Sequence, residues 1–413
     1  IVKKEEDIMK KFNKFLSVAV ASAMVMAMAG CGNTDNGSAA TGTNAATESA
    51  AASDSAASGS VFKIGGIGPT TGGAAVYGLA VQHGAEIAVE EINAAGGING
   101  YQVEFKFQDD EADAEKSVNA YNALKDWGAQ IIDGSTTSGA CIAVTDKTKE
   151  DNMFQITPSG SAVECVQYDN NFRVCFSNPN QGLASAQYIG ENGLAEKIAV
   201  IYDSSDVYSS GIYEKFAKEA ENQPFEIVAA EAFTADNKTD FSVQLQKAKD
   251  AGADMVFLPI YYQESALILT QAAAMGYAPK WFSCDGMDGI LGGVDNFDVS
   301  LTEGVMLLTP FAADATDDLT QSFVTKYKEK YGDTPNQFAA DSYDAIYVIK
   351  AAIEKSGVTP DMSVSDICDG MKAAMTEITV DGLTGSGMTW TADGEANKAP
   401  KAVVIENGAY KAM

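Results

Sequence analysis

Histidine is almost absent from this chain: His83 is the only one in 413 residues. Nucleophile–base–acid sets and Cys/His zinc sites both need imidazole beside a second reactive group, so neither has obvious material here. His83 falls six residues after Tyr77 on the first expected helix, where packing or surface placement is the better reading. Cysteine is also scarce, with six residues and no CxxC pair, so a metal is not expected. Positive charge is the third shortage, with 28 Lys and Arg against 57 Asp and Glu and a net charge of −29. Phosphate backbones need a basic face, which excludes nucleic acid as an expected partner. The acidic run QDDEADAE (108–115) lacks the calcium-loop order with glycine at its sixth position, and reads as a solvated loop and helix start. Long apolar runs are missing too. The best, Phe15–Ala29, is short and rich in small residues, so it is not read as a membrane span.

That apolar run has another use. Met9 opens MKKFNKFLSVAVASAMVMAMAGCGN, with Lys10, Lys11 and Lys14 ahead of the run, which is the layout of a secretory signal. Ile1–Ile8 is then an upstream extension or an artefact. Met28-Ala29-Gly30-Cys31 looks like a bacterial lipobox, with methionine in place of the usual leucine. That likeness implies cleavage before Cys31 and a lipid on its sulfur, anchoring the protein outside the cell membrane. Residues 32–60 are small and polar, cannot bury a core, and read as a flexible tether. Residues 1–30 hold five lysines and three acids, so the remainder carries 23 bases against 54 acids, a net −31. Such acidity keeps a domain soluble and off anionic surfaces. Beyond Cys31, Cys165 and Cys175 could pair across a short loop in an exported chain; buried free thiols are equally consistent.

From Val61 onward, apolar runs alternate with amphipathic ones. VFKIGGI, YQVEFKF, AQIID, MFQIT and FRVCF read as strands of a first half, with helices over 79–95, 117–127 and 138–150 between them. The pattern restarts with a helix over 181–192, followed by KIAVIYD, FEIVAAEAF, DMVFLPI, KWFSC and GVMLLTP with helices interposed. Later helices are expected over 319–331 and 338–356, and a hairpin-like end over 388–391 and 401–405. Two successive strand–helix units predict an α/β fold of two doubly wound parallel-sheet lobes. The glycine-rich stretch GGIGPTTGGAAVYG (65–78) follows the first strand, as a phosphate loop would. Spacing excludes that use: GxGxxG begun at Gly66 meets Thr71, and GxxxxG from Gly68 to Gly73 is followed by Ala74 and Ala75, not lysine and a hydroxyl.

GPTTGGAAVYG, EEINAAGGINGYQVEFKFQDDEAD, GSTTSGACIAV, ITPSGSAVE, NPNQG, AVIYDSSDVYSSG and DGLTGSGMTWTADGE occur in this order between Phe62 and Ile405. Together they resemble the solute-binding proteins of branched-chain amino acid ABC transporters, the leucine/isoleucine/valine-binding family. The resemblance implies a type I periplasmic-binding fold, with two lobes joined by three crossovers, placed near 177–180, 309–312 and 383–387. Residues 61–178 and 310–384 would form lobe 1, and 179–309 and 385–413 lobe 2. It further implies that Ser138, Ser159 and Ser161 hold a ligand carboxylate by hydroxyls and backbone amides. Asp285 matches the residue used for the ligand's ammonium, with Asp288 as competitor, and Tyr77, Tyr208 and Tyr261 match cleft-lining positions. Tyr262 would replace Tyr261 if the register slipped by one. These residue types suit the task on physical grounds. A helix start supplies free N–H groups for a carboxylate, a desolvated ammonium needs an acid, and aromatic faces cover both cation and side chain. Thr137 or Ser138 could equally serve as plain helix caps, and Asp285 as a turn residue.

The expected protein is therefore a monomeric lipoprotein that captures an amino acid by hinge closure and delivers it to ABC permease subunits, without cofactor, metal or catalysis. A receptor of the same fold signalling to a membrane partner, and an amidase-like enzyme, are the alternatives.

Overall fold

The computed structural model describes residues 59–413; the signal, Cys31 and nearly all of the tether lie outside the described residues. Two sheets organise the chain. The first has the order β2-β1-β3-β4-β5, built from Phe62–Gly68 (β1), Val103–Asp109 (β2), Ile131–Asp133 (β3), Phe154–Thr157 (β4) and Asn171–Arg173 (β5). All its pairings are parallel. Helices α1 (Ala75–Ala94), α2 (Ala114–Trp127) and α3 (Ser138–Asp151) supply the crossovers within it.

The second sheet repeats the plan. After α4 (Asn178–Glu191) come β6 (Lys197–Asp203), α5 (Val207–Ala220), β7 (Glu226–Phe233), α6 (Ser242–Asp250), β8 (Met255–Leu258), α7 (Tyr262–Ala274), β9 (Lys280–Ser283) and β10 (Met306–Thr309). Its parallel strands are ordered β7-β6-β8-β9-β10, the same sequence of neighbours as in the first sheet. The alternation of apolar and amphipathic runs thus predicts the strands to within a few residues. One edge departs from the expected all-parallel plan, because β11 (Lys401–Glu406) and β12 (Ala409–Ala412) add an antiparallel hairpin to β10.

The chain returns to the first lobe after β10, where α8 (Asp318–Tyr331), α9 (Gln337–Ser356) and α10 (Val364–Met375) cover its sheet. Helix α10 is absent from the sequence-based reading, although Ser363 accepts from Asp366 N at its start and Ile367, Cys368, Met371 and Met375 form its buried stripe. Each lobe has one intimate helix pair. A Cβ on Gly84 of α1 would lie 2.0 Å from Ala339 O of α9, and one on Gly182 of α4 would lie 2.4 Å from Ile212 O of α5.

The last crossover differs from its expected place. Residues 388–398 do not join the second lobe but stay on the first: Trp390 Nε1 donates to Arg173 O (2.8 Å), and Arg173 N donates to Gly394 O (3.1 Å). Lys398 Nζ sits between Asp341 (2.6 Å) and Val174 O (3.2 Å), almost fully buried. Burying an indole and an ion pair here is favourable only with these partners, which fixes the segment against lobe 1. The five described cysteines are all buried and unbonded, so Cys165 and Cys175 are not joined.

Candidate functional site

In a 2-1-3-4-5 sheet, the loops after the first and third strands diverge and leave a crevice at the carboxyl end. Both lobes place such a crevice facing the other. On lobe 1 it is framed by residues 69–74 after β1 and 134–137 after β3; on lobe 2 by 204–206 after β6 and 259–261 after β8.

The glycine-rich loop is held by an internal anion. Asp109 at the end of β2 accepts from Thr70 N (2.8 Å), Thr71 N (3.4 Å), Thr71 Oγ1 (2.5 Å) and Glu111 N (3.0 Å). Burial pushes the Asp109 carboxyl up, but these hydrogen bonds outweigh it and hold its pKa below the usual value. The acidic run thus occupies the donors that a phosphate would need. Gly72 adopts the left-handed φ of 78°, and a Cβ on Gly73 would stand 3.4 Å from Gln263 Oε1 of the other lobe.

Tyr77 emerges from this loop on the first turn of α1 and reaches across. Its hydroxyl donates to Gly286 O and accepts from Tyr262 N (3.1 Å), both on lobe 2. Its ring packs against Phe338 (centroids 4.4 Å), Tyr262 (5.1 Å) and Tyr261 (5.5 Å). The lobes are closed on one another in this arrangement.

On the lobe 1 wall, the N-cap of α3 is Thr137, and its side chain makes no capping bond. Ser138 does not cap the helix either. Its Oγ accepts from Ser161 N and Ala162 N (3.1 Å each), tying the loop after β4 to the helix start. Ser159 Oγ donates to Thr136 O (2.6 Å). The first helical bond of α3 is Cys141 N to Thr137 O, so the amides of Ser138, Gly139 and Ala140 have no intrahelical acceptor. Thr137 Oγ1 is buried without any partner. This wall therefore offers hydrogen-bond donors and the positive end of a helix dipole.

The lobe 2 wall has the opposite character. Asp285 follows β9 and is 5 % exposed. Tyr208 OH donates to its Oδ1 (2.6 Å) and accepts from Gly286 N (2.9 Å), while Gln181 Nε2 donates to its Oδ2 (2.9 Å). Burial pushes the Asp285 pKa up to about 7, against the lowering effect of these bonds. The Tyr208 ring stacks on Tyr261 at 5.0 Å and 17°.

Tyr77, Ser138, Ser159, Tyr208, Tyr261 and Asp285 line one common cleft, together with Thr136, Thr137, Gly286 and Phe338. Of the latter four, the sequence points to Thr137 only as a helix cap and not to Thr136, Gly286 or Phe338, although Thr136 and Thr137 lie within GSTTSGACIAV. Ser161 stands behind the wall, fully buried, with its amide taken by Ser138 Oγ. Asp288 turns away: its Oδ2 accepts from Gln337 N (2.9 Å), and it borders a separate cavity beside Leu291, Phe311 and Tyr410. His83 is remote from the cleft and half-buried, stacked on Tyr331 at 3.6 Å and 9°. Closed, the cleft leaves about 10 Å³, room for a single water, so any larger molecule enters only when the lobes part. Among the described residues no group of three His, Cys, Asp or Glu side chains is placed to hold a metal, and no helix is long and apolar enough to cross a membrane.

A profile of the periplasmic binding protein family matches residues 61–409. A Leu/Ile/Val-binding protein homolog of Brucella melitensis is 30% identical over 300 residues, covering 72% of this chain and 80% of the relative. The chain belongs to the leucine/isoleucine/valine-binding family of periplasmic binding proteins. This binding protein is also 30% identical to the leucine-, isoleucine-, valine-, threonine- and alanine-binding protein of Pseudomonas aeruginosa over 71% of its length and 78% of the relative. Among solved structures, it superposes on the branched-chain amino acid transporter substrate-binding protein LivJ of Streptococcus pneumoniae in complex with isoleucine, with a TM-score of 0.77 and 28% identity, over 85% of this chain and 98% of that one. The leucine-binding protein LivK of Thermotoga maritima matches with a TM-score of 0.75 and 27% identity, over 86% and 98%. The two-lobed fold of the binding protein is the fold of these neighbours.

Proposed function

We propose that this protein captures an α-amino acid, of the branched-chain type, between its lobes and presents it to the permease of an ABC transporter. The observation that carries this reading is the opposition of the two walls. Lobe 1 offers helix-start amides and the unpartnered Thr137 hydroxyl to a carboxylate, while lobe 2 offers the buried Asp285 carboxylate to an ammonium. Only a ligand bearing both groups satisfies both walls, and so stabilises closure. Ser138, Ser159 and Ser161 organise the carboxylate side; Tyr77, Tyr208 and Tyr261 enclose the ammonium and the aliphatic part. The relatives' names, which include leucine, isoleucine and valine, support the ligand class.

The reading is of a reversible binder, not an enzyme. The cleft serines are engaged with backbone partners and the single histidine stacks elsewhere, so no imidazole stands beside a cleft serine to activate it. Cys31 would carry a lipid that tethers the monomeric domain outside the membrane. Isothermal titration with leucine, isoleucine and valine, and with leucinamide and isoamylamine, tests the site. Stoichiometric binding of the amino acids and none of the amide or amine is expected; comparable binding of leucinamide would sink the carboxylate wall. Labelling with palmitate, lost on Cys31→Ser, tests the anchor.

A further inference from the structure

Asp285 is held from three directions, and two of its partners, Gln181 and Gln337, have no part in the cleft lining; of these only Gln181 touches the carboxylate. Gln181 lies in the first turns of α4, the helix that opens immediately after the first crossover, with its amide bonded to Ser177 O. It is fully buried. Its carboxamide makes a two-point clasp with Asp285: Nε2 donates to Oδ2 at 2.9 Å, and Oε1 accepts from Asp285 N at 3.4 Å. Tyr208 of α5 takes the other carboxylate oxygen at 2.6 Å, and Gln337 Nε2 of α9 donates to the Asp285 carbonyl at 2.9 Å.

We infer that Gln181 is the positioning residue of the ammonium site, fixing the Asp285 carboxylate in rotamer and in charge state through a neutral donor. This rests on the reading of Asp285 as the ammonium partner. The neutrality is the physical point. A lysine or arginine in this place would also favour the ionised carboxylate, but it would cancel the charge that attracts the ligand and occupy the same lone pairs. Neutral side-chain donors, Gln181 and Tyr208, leave the negative charge uncompensated and directed by fixed partners on two helices. The clasp of the Asp285 amide removes rotation of the backbone at the end of β9, so the carboxylate needs no reordering when a ligand arrives.

The other titratable groups around Asp285 are Tyr208 on α5, Tyr77 on α1, Tyr261 ahead of α7, Asp341 on α9 and the thiols of Cys284 and Cys175. Asp341 is itself paired with Lys398. No cation contacts the Asp285 carboxylate, so burial opposes its ionisation, and the Tyr208 hydroxyl, the Gly286 amide and the Gln181 carboxamide, all neutral, support it.

Amino-acid affinity of the full-length protein measured by titration calorimetry from pH 5 to 8.5 tests this, with leucine as probe. In Gln181→Leu, which keeps the bulk and removes the donor, the acid limb of the affinity profile should rise by roughly one pH unit, with a roughly fivefold loss at pH 7 that narrows at pH 8.5. Gln181→Glu, which places a second carboxyl against the first, should move the limb further in the same direction. Thermal unfolding of both variants monitors the fold. A pH-independent loss of affinity in both variants, or an unchanged profile, overturns the assignment, because a merely packing residue would not move the limb. Asp285→Asn separates the two readings. Normal leucine binding by that variant defeats the ammonium site itself, whereas lost binding there with an unmoved limb in the Gln181 variants defeats only the role of Gln181.

Discussion

The two lobes share one strand order and one placement of the crevice, yet they present opposite chemistry to each other. In lobe 1, the loops entering α1 and α3 are built from Gly, Thr and Ser, with backbone amides near the surface of the crevice. In lobe 2, the corresponding loops carry Asp206 and Tyr261, with Tyr208 on the first turn of α5 and Asp285 beyond β9. Small residues let a helix start approach its ligand and act by its dipole, whereas the larger residues act by their own charge and rings. Duplicating a scaffold and diverging only its loop residues thus converts two similar crevices into a donor wall and an acceptor wall. On the proposed reading, neither alone would distinguish an amino acid from a simple acid or amine, and specificity would belong to closure.

The largest break in this contrast is expected from Asp285→Asn. Removing a buried charge from its ionic partner costs on the order of 2–5 kcal/mol, so leucine affinity should fall by about 100-fold or more in calorimetry. The same change should raise the melting temperature of the unliganded protein at neutral pH. The sign follows from the folded-state pKa of about 7, which lies above the ordinary carboxylate value. Folding is then favoured by the protonated form, so this group's contribution to stability is lost as pH rises from about 4 to 7, while the affinity it confers grows over that interval. A melting temperature unchanged in the variant would contradict the burial cost assigned to Asp285.

A smaller effect is expected on the opposite wall. Ser138→Ala removes the acceptor shared by Ser161 N and Ala162 N. It should weaken leucine binding by roughly tenfold without shifting its pH profile, since no titrating group is lost. A shift in profile there would erase the distinction between the walls. Tyr77→Phe, which cuts the bonds to Gly286 O and Tyr262 N, should mainly speed ligand release in stopped-flow measurements, by several-fold, because those bonds exist only between closed lobes. His83→Ala, on the face of α1 that packs against α8, should leave affinity within twofold and only trim stability through the lost stack on Tyr331.

Much of this arrangement is readable in the chain. Alternating apolar and amphipathic segments reveal both sheets, because strands buried on two faces must be continuously apolar. Family order brings Tyr77, Ser138, Ser159, Tyr208, Tyr261 and Asp285 forward together, and all six line one cleft. What escapes is set by partners distant in sequence. Ser161 looks equivalent to Ser159, but its amide is committed to Ser138, a pairing that depends on how the β4 loop meets α3. Asp285 and Asp288 are indistinguishable in KWFSCDGMDG until Gln337, some fifty residues on, engages the backbone carbonyl of one and the carboxylate of the other. Residues 388–398 resemble the opening of the terminal hairpin, and only Arg173 and Asp341 show that they belong to the first lobe.

That last segment has a mechanical side. Lys398 is pinned to lobe 1 by its buried partners, and β11 of lobe 2 begins at Lys401. The leash between them is Ala399-Pro400, two residues of which one has its φ locked by a ring. Like the first crossover, where the N–H of Asn178 at the start of α4 donates to Ser161 O of lobe 1, it has little slack. It sets a stop on how far the jaws can swing, much as a short strap limits a door.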